Sequence, residues 1–239
     1  MTILVTGGAG YIGSHMVYEL LDRGETVVVL DRLSTGFDWA VAPGAELVVG
    51  DIGDQPMVER LIAERGVNSI IHFAGSVVVP DSVADPLEYY LNNTVRSRSL
   101  IAAAVAGGVD NFIFSSTAAV YGSPEAVPVT EAAPKAPESP YGASKLMTER
   151  MLEDVGHAHG LRYAILRYFN VAGADPDGRT GQSTRGATHL IKVACETALG
   201  KRDGMKVYGT DYPTEDGTCV RDYIPVSYTH LRAHETRGN

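Results

Sequence analysis

A glycine-rich turn at residues 7–13 constrains the fold of this chain more than any other feature of its sequence. Gly7, Gly10 and Gly13 follow the β-branched run Thr2–Thr6 and lead into the amphipathic segment Tyr11–Arg23. Glycines at this spacing allow the backbone to approach a pyrophosphate, which then sits at the N-terminus of the following helix. The pattern therefore predicts a nucleotide-binding turn between a first strand and a first helix.

Apolar strand-like runs alternate with helix-like segments through the first 170 residues. This order predicts an α/β protein with a Rossmann-like, doubly wound parallel sheet and helices on both of its faces. The predicted strands are Thr2–Thr6, Thr26–Asp31, Glu46–Val49, Ser69–Phe73, Asn111–Ser116 and Arg162–Phe169. The predicted helices are about Tyr11–Arg23, Gln55–Arg65, Pro86–Ala106 and Pro140–His159.

The composition of the chain changes after Asn170. Ala172–Gly186 is rich in Gly, Asp and Thr and is predicted to be an exposed loop. Thr188–Leu199 is predicted to be a further helix, and Lys206–Tyr208 a short strand. Upstream, the Pro-rich stretch Pro124–Pro140 is predicted to be a loop over the carboxyl edge of the sheet.

Charge and cysteine content limit the classes of partner and compartment. The net charge is −9, which argues against binding to nucleic acid or to an anionic membrane. No apolar run approaches membrane-spanning length. The two cysteines, Cys195 and Cys219, form no disulfide framework, so we expect a cytoplasmic protein. Cys195 falls on an apolar stripe and is predicted to be a core residue.

Acidic and small residues follow the second, third and fourth predicted strands. Asp31 can accept hydrogen bonds from both ribose hydroxyls and would repel a 2′-phosphate, which favours NAD over NADP. Arg32, directly after it, is a residue type that can accommodate such a phosphate. Asp51 and Ile52 are placed to bracket the adenine, and Phe73–Gly75 to lie at the cofactor edge.

Tyr141 and Lys145 form the predicted proton shuttle. Four residues apart on a helix, they lie on one face about one turn from each other. The lysine charge is expected to favour the phenolate and to lower the tyrosine pKa from its usual value near 10. Thr117, after the fifth strand, can hydrogen-bond a substrate hydroxyl while Tyr141 takes its proton. Ser115 and Ser116 serve equally well as strand caps or as site residues.

Longer strings connect these residues to a known family. TGGAGYIGSH, IHFAG, FIFSSTAAVYG, SPYGASKLM, RYFNVAGA and DYPTEDGTCVRDYI occur in order between Thr6 and Ile224. In these strings the chain resembles the UDP-sugar 4-epimerases of the extended short-chain dehydrogenase/reductase family. The resemblance implies C4 epimerisation of UDP-glucose and UDP-galactose through a transient 4-keto sugar, with NAD as hydride carrier. It also implies a homodimer formed through the helices near 86–106 and 140–159.

The resemblance also implies where the ligands bind. The predicted cofactor-binding residues are Gly7, Gly10, Tyr11, Ile12, Gly13, Asp31, Asp51, Ile52, Phe73, Ala74, Gly75, Asn92, Tyr141, Lys145 and Tyr168. The predicted substrate-binding residues are Thr117, Tyr141, Asn170, His189, Leu190, Tyr208 and Arg221; no metal site is predicted. Arg221 suits a diphosphate because its planar fork binds oxyanions bidentately, and Tyr208 could pack on uracil.

Two positions depart from the family pattern. Val77 stands where some members carry a lysine that contacts the cofactor, so cofactor retention is expected to depend more on Lys145. His189 stands where an asparagine often contacts the sugar nucleotide, and a purely structural role for this histidine stays open.

Three other classes of function share parts of this set of motifs. A 4,6-dehydratase would need an acid and a base directly after Thr117, whereas this chain has Ala118 and Ala119. A sugar-nucleotide dehydrogenase with net redox turnover, or a different epimerase of the family, stays open. A non-enzymatic NAD-binding protein would not need Thr117, Tyr141 and Lys145 together.

The resemblance ends near residues 224–226. We therefore expect an NAD-binding domain at 1–170, a partial substrate-binding domain at 171–224 and a non-native tail at 225–239. An incomplete substrate domain would leave the proton shuttle intact and weaken the grip on the UDP-sugar, so little epimerase activity is expected of these 239 residues.

Overall fold

The computed structural model describes residues 1–229, and they contain a six-stranded parallel sheet in the order β3-β2-β1-β4-β5-β6. The order reverses beside β1, as in doubly wound nucleotide-binding folds. This arrangement confirms the predicted fold class. The strands are β1 (Thr2–Thr6), β2 (Thr26–Asp31), β3 (Glu46–Val49), β4 (Val67–His72), β5 (Asn111–Ser115) and β6 (Arg162–Leu166).

Helices cover both faces of this sheet. They are α1 (Tyr11–Asp22), α2 (Gln55–Arg65), α3 (Val79–Ala84), α4 (Pro86–Tyr89), α5 (Arg96–Ala106) and α6 (Pro140–His159). A π-helical segment, Tyr90–Val95, joins α4 to α5, so the predicted helix at 86–106 is interrupted in its middle. The short helix α3 was missed, because six residues are too few for a helical period to stand out.

The alternation of side chains along β1 divides the core into two clusters. Val5 packs with Met16 and Leu20 of α1 on one face of the sheet. Leu4 packs on the other face, where Phe112 and Leu100 are fully buried. Because successive side chains of a strand point to opposite faces, one short apolar strand supplies both layers of the core.

The catalytic helix α6 has clear sequence signals at both ends. The side chain of Ser139 accepts a hydrogen bond from the backbone N–H of Gly142, and Pro140 occupies the first turn. Gly160 ends the helix in the left-handed conformation, with φ of 72°. These caps explain why the predicted bounds of this helix are confirmed.

The second half of the described chain is less regular than predicted. A two-stranded parallel sheet pairs β7 (Asn170–Ala172) with β8 (Tyr223–Pro225). The predicted strand at Lys206–Tyr208 is wrong, because this segment pairs with no other strand among residues 1–229. The predicted strand at 162–169 ends at Leu166, where the chain leaves the large sheet.

Cys195 corrects another prediction. The helix α7 (Leu190–Ala198) carries this cysteine, but none of its residues is buried within the described chain. An apolar stripe predicts which face of a helix can be covered, not whether another element covers it.

Residues 230–239, which include His230 and His234 and most of the predicted tail, lie outside the described residues. Before them, the backbone N–H of Val226 donates to the carbonyl of Ala172 at 2.8 Å, and Val226 is buried. Among the described helices, none combines the length and the apolar composition that crossing a membrane requires.

Candidate active site

The glycine turn brings three backbone segments into close contact. A Cβ atom at Gly7, where φ is 72°, would lie 2.6 Å from the backbone nitrogen of Ala74 at the end of β4. A Cβ atom at Gly13 would lie 2.2 Å from the carbonyl oxygen of Gly7. Gly10 caps α1 without any side-chain hydrogen bond, so no side chain takes up the first amides of the helix. These amides and the positive end of the helix suit a pyrophosphate.

The carboxylate of Asp31 is held in place beside this turn. Its Oδ2 accepts from the backbone N–H of Ala9 at 3.0 Å, and its Oδ1 accepts from Leu33 at 2.8 Å. Leu33 adopts a φ of 58°, which costs free energy for a residue with a side chain. Both oxygens keep acceptor capacity for the two hydroxyls of a ribose.

Arg32 is held by acceptors of the protein itself. Its guanidinium donates to the Asp51 carboxylate at 3.3 Å and to the Asn92 amide oxygen at 3.0 Å. Arg96 also lies against Asp51, at 3.1 Å. This network joins two predicted cofactor residues, Asp51 and Asn92, whereas the side chain of Ile52 is buried in the core.

The end of β4 lies directly against the predicted catalytic lysine. A Cβ atom at Gly75 would lie 3.4 Å from Lys145 Nζ and 3.0 Å from Asn93 Oδ1. Phe73 and Ala74 are half-buried beside it. Sequence reasoning missed Asn93, which is buried in the π-helical segment and donates to Ser144 at 3.1 Å. The sequence feature that could have indicated Asn93 is the adjacent pair Asn92-Asn93 in the middle of the predicted helix at 86–106.

Lys145 is deeply buried at the carboxyl end of β5. Its ammonium donates to the carbonyl of Ser115 at 3.0 Å and lies 5.0 Å from the ring centroid of Phe114. Burial lowers the pKa of Lys145 from its ordinary value of 10.5 to about 8. The lysine is therefore protonated at neutral pH, but the protein pays for keeping that charge away from water.

Tyr141 and Thr117 share a hydrogen bond, so the two predicted catalytic hydroxyls are adjacent. Burial raises the pKa of Tyr141, and the hydrogen bond from Thr117 opposes the rise only in part. The expected lowering by Lys145 is therefore wrong for this structure, because desolvation of the phenolate dominates. Thr117 also accepts from the backbone N–H of Ala119 at 3.2 Å, which caps a short 3₁₀ helix, Ala118–Tyr121.

Tyr168 lies on the sheet side of this group. Its hydroxyl forms a short hydrogen bond with Ser115, and burial raises the pKa of Tyr168. Asn170, two residues further on, donates to the carbonyl of Asp222 at 2.9 Å and so connects β7 to the segment before β8. In this structure both side chains support the backbone around the site.

The remaining predicted substrate residues are more open. Tyr208 is 81% exposed. Arg221 donates only to the neighbouring carbonyl of Val220 among residues 1–229. His189 bonds Gln182 at 2.8 Å, and burial lowers the pKa of this histidine. Leu190 is exposed beside it, and no hydrogen bond among residues 1–229 joins these four side chains to Tyr141.

The fold and the site define a member of a known family. A sequence profile of the NAD dependent epimerase/dehydratase family matches residues 3–234, and the chain belongs to this family. The predicted cofactor, NAD, is thereby confirmed. The residues present fit it: the glycine turn leaves no room for side chains, and Asp31 is fixed where a ribose diol can bind.

Known proteins of this family resemble the chain closely. The UDP-glucose 4-epimerase of Azospirillum brasilense is 59% identical over 225 residues, which cover 94% of this chain and 65% of that protein. The solved structure of the Brucella ovis UDP-glucose 4-epimerase in complex with NAD is 46% identical, with a TM-score of 0.93, and the match covers 98% of this chain and 71% of that one. The Bifidobacterium longum enzyme, solved with NAD+ and UDP, is 37% identical with a TM-score of 0.93 and coverage of 99% and 74%.

The close approach at Gly13 generates a first prediction. In Gly13→Ala the new methyl group would meet the Gly7 carbonyl at 2.2 Å, so the turn must open. We expect NAD affinity, measured by isothermal titration calorimetry, to fall at least about tenfold. Gly204→Ala is the matched control, because its methyl group would meet no atom within 4 Å. Equal NAD affinity of the two variants would contradict this account of the turn.

The buried ammonium generates a second prediction. The folded-state pKa of Lys145, about 8, lies below the ordinary value of 10.5, so the unfolded chain binds this proton more tightly. The stability cost of the lysine is complete below pH 8 and disappears as the pH rises to about 10.5. The unfolding free energy of Lys145→Met minus that of the natural chain should therefore fall by on the order of 3 kcal/mol across this window.

Urea unfolding of both proteins at several pH values measures this difference. Lys201→Met, which alters an exposed lysine, supplies the baseline for a change of composition alone. A difference between Lys145→Met and the natural chain that stays constant from pH 7 to 10.5 would show that the ammonium is not desolvated.

Proposed function

We propose that this site interconverts UDP-glucose and UDP-galactose by NAD-dependent epimerisation at C4. The observation that carries the proposal is the meeting of Thr117, Tyr141 and Lys145 at the carboxyl end of β5, beside the glycine turn. The relatives named above are UDP-glucose 4-epimerases, which supports this choice of reaction within the family. The chain spans 65% of the Azospirillum protein, so the activity is a proposal for the chain and not a finding.

Thr117, Tyr141 and Lys145 would each have a separate role in the reaction. Thr117 would hold the 4-hydroxyl of the sugar, and Tyr141, in its deprotonated form, would take the proton of that hydroxyl as a general base. Lys145 would keep a positive charge one helical turn from the phenol and so oppose the pKa rise caused by burial. When bound, NAD supplies the acceptor and later the donor of the hydrogen at C4. Tyr141 would then return the proton to the 4-hydroxyl of the product.

The neighbouring residues favour epimerisation over dehydration. Ala118 and Ala119 follow Thr117 within the 3₁₀ helix, and neither methyl group can move a proton. The burial of Lys145 and Tyr141 limits the access of water to the reacting groups, which suits a reaction whose intermediate must stay bound. Tyr208 and Arg221 are exposed, so both side chains are accessible to the UDP moiety.

Replacement of Tyr141 generates the functional prediction. We expect Tyr141→Phe to lower the rate of UDP-galactose conversion about 100-fold or more, since the general base is lost while the ring is kept. Conversion is followed at millimolar UDP-galactose with saturating NAD, by an end-point assay of UDP-glucose. The control is Tyr163→Phe, which alters a tyrosine of β6 packed against Gly156. Loss of activity in neither variant, or in both equally, would contradict the role of Tyr141.

We also propose that two copies of the chain associate through the helices near 86–106 and 140–159, together with α3. Large apolar side chains recur there at every fourth residue and are exposed: Val83, Leu87, Leu91 and Val95. Met147 on the neighbouring helix α6 is also exposed. A helical stripe of this kind is suited to an isologous dimer interface.

A charged substitution in this stripe tests the dimer. Leu87→Asp should convert a dimer to a monomer in sedimentation-velocity experiments, because an unpaired carboxylate would be buried at the interface. Leu199→Asp introduces the same change at another exposed leucine, at the end of α7, and should leave the mass unchanged. A natural chain that sediments as a monomer at all concentrations tested would contradict the proposal.

We infer a cytoplasmic location from the two cysteines. Cys195 and Cys219 are both free in the structure, and free thiols persist in a reducing compartment.

A further inference from the structure

A buried ion pair stands directly beside the proposed catalytic group and has no part in the proton transfer. Glu149 is fully buried on α6, one turn beyond Lys145. Its two carboxylate oxygens accept from Arg167 at 2.9 and 2.8 Å. Arg167 follows β6, so the pair joins the catalytic helix to the end of the last strand. A buried pair in this position can affect the geometry of the proposed catalytic residues.

The same carboxylate reaches the end of β5. The hydroxyl of Ser116 donates a short hydrogen bond to Glu149. Ser116 lies between Ser115, whose carbonyl accepts from Lys145, and Thr117, which bonds Tyr141. One carboxylate therefore anchors the three-residue segment that touches every proposed catalytic side chain.

Arg167 extends this anchor to the turn that follows. Its guanidinium donates to the hydroxyl of Tyr121 at 2.8 Å and lies 5.3 Å from the centroid of that ring. Tyr121 is the last residue of the 3₁₀ helix that Thr117 caps. The Pro-rich loop is tied to the same group, since Lys135 Nζ lies 3.6 Å from Glu149.

Stability alone is a poor explanation for this pair. Removing two charges from water costs several kcal/mol per ion, and well-packed apolar side chains often hold a fold equally well. A satisfied network of charged hydrogen bonds instead fixes one geometry, because each donor has a single best direction. Bidentate contact with Arg167 fixes the plane of the carboxylate, and that plane directs one oxygen to Ser116.

We propose that Glu149 and Arg167 are positioning residues, which hold Ser115–Thr117 so that Lys145 and Tyr141 keep their working geometry. Their importance for turnover rests on the proposed function. The positioning itself does not require substrate, so it can be measured on the substrate-free protein.

Three variants cut the network at different points, with one matched control. Ser116→Ala removes a single hydroxyl, and Glu149→Gln removes the charge while it keeps the shape. Arg167→Lys keeps a charge but loses the bidentate fork. Asp154→Asn is the control, because Asp154 lies on the same helix and pairs with Arg150, which has no contact with Glu149 or Arg167 among the described salt bridges.

The readout is the titration of Lys145 by NMR with ¹³C- and ¹⁵N-labelled lysine. The chain has five lysines, at positions 135, 145, 192, 201 and 206, and the Lys145 signal is assigned from its loss in Lys145→Met. If the anchor loosens, water reaches the ammonium, and its midpoint should rise from about 8 towards 10.5. We expect a rise of about half a pH unit or more in Ser116→Ala, which changes no charge, and none in Asp154→Asn.

The outcomes separate positioning from mere support of the fold. A folded Ser116→Ala protein that keeps the natural midpoint would overturn the proposal. Arg167→Lys, which also keeps the charges, is judged by the same criterion, and Glu149→Gln is compared by turnover, because loss of its charge itself lowers the Lys145 midpoint. In turnover of UDP-galactose, we expect kcat to fall about tenfold at nearly constant KM. Absence of turnover in every protein would count against the proposed function alone, since the NMR measurement needs no substrate.

Discussion

The hydrogen bond between the Lys145 ammonium and the Ser115 carbonyl is the contact on which the site depends. It joins the catalytic helix to the end of the central sheet, and it is buried next to the ring of Phe114. An ammonium so placed is costly, as its lowered pKa shows. The burial of a large apolar core on both faces of the sheet offsets this cost in free energy. One strand, β1, supplies side chains to both layers of that core.

Local signals allowed the fold and part of the site to be predicted from sequence. The caps at Ser139 and Gly160 fix the bounds of the catalytic helix, and steric exclusion at Gly7 and Gly13 fixes the nucleotide turn. The caps and the contact of Gly13 with Gly7 act over a few residues, so the sequence alone reveals them; the contact of Gly7 with Ala74 depends on the fold. The family match confirms the fold class and the cofactor that they predicted.

Properties that depend on distant segments were predicted less well. The pKa of Tyr141 depends on burial by the whole site, which outweighs a lysine one turn away. The pairing of β7 with β8, and the exposure of Cys195, depend on which segments meet after the sheet ends. The Glu149–Arg167 pair joins residues from two different parts of the fold, and no short sequence motif predicts it.

The central claim is that the site inverts C4 of a UDP-sugar by moving the C4 hydrogen to the cofactor and back, without net oxidation. The most direct measurement is ¹H NMR of UDP-galactose incubated with the protein and NAD in D₂O, with absorbance at 340 nm recorded in parallel. The account predicts UDP-glucose that keeps its C4 hydrogen, with no accumulation of reduced cofactor. Deuterium at C4, steady growth of the 340 nm absorbance, or a sugar that never changes while NAD is bound would contradict it.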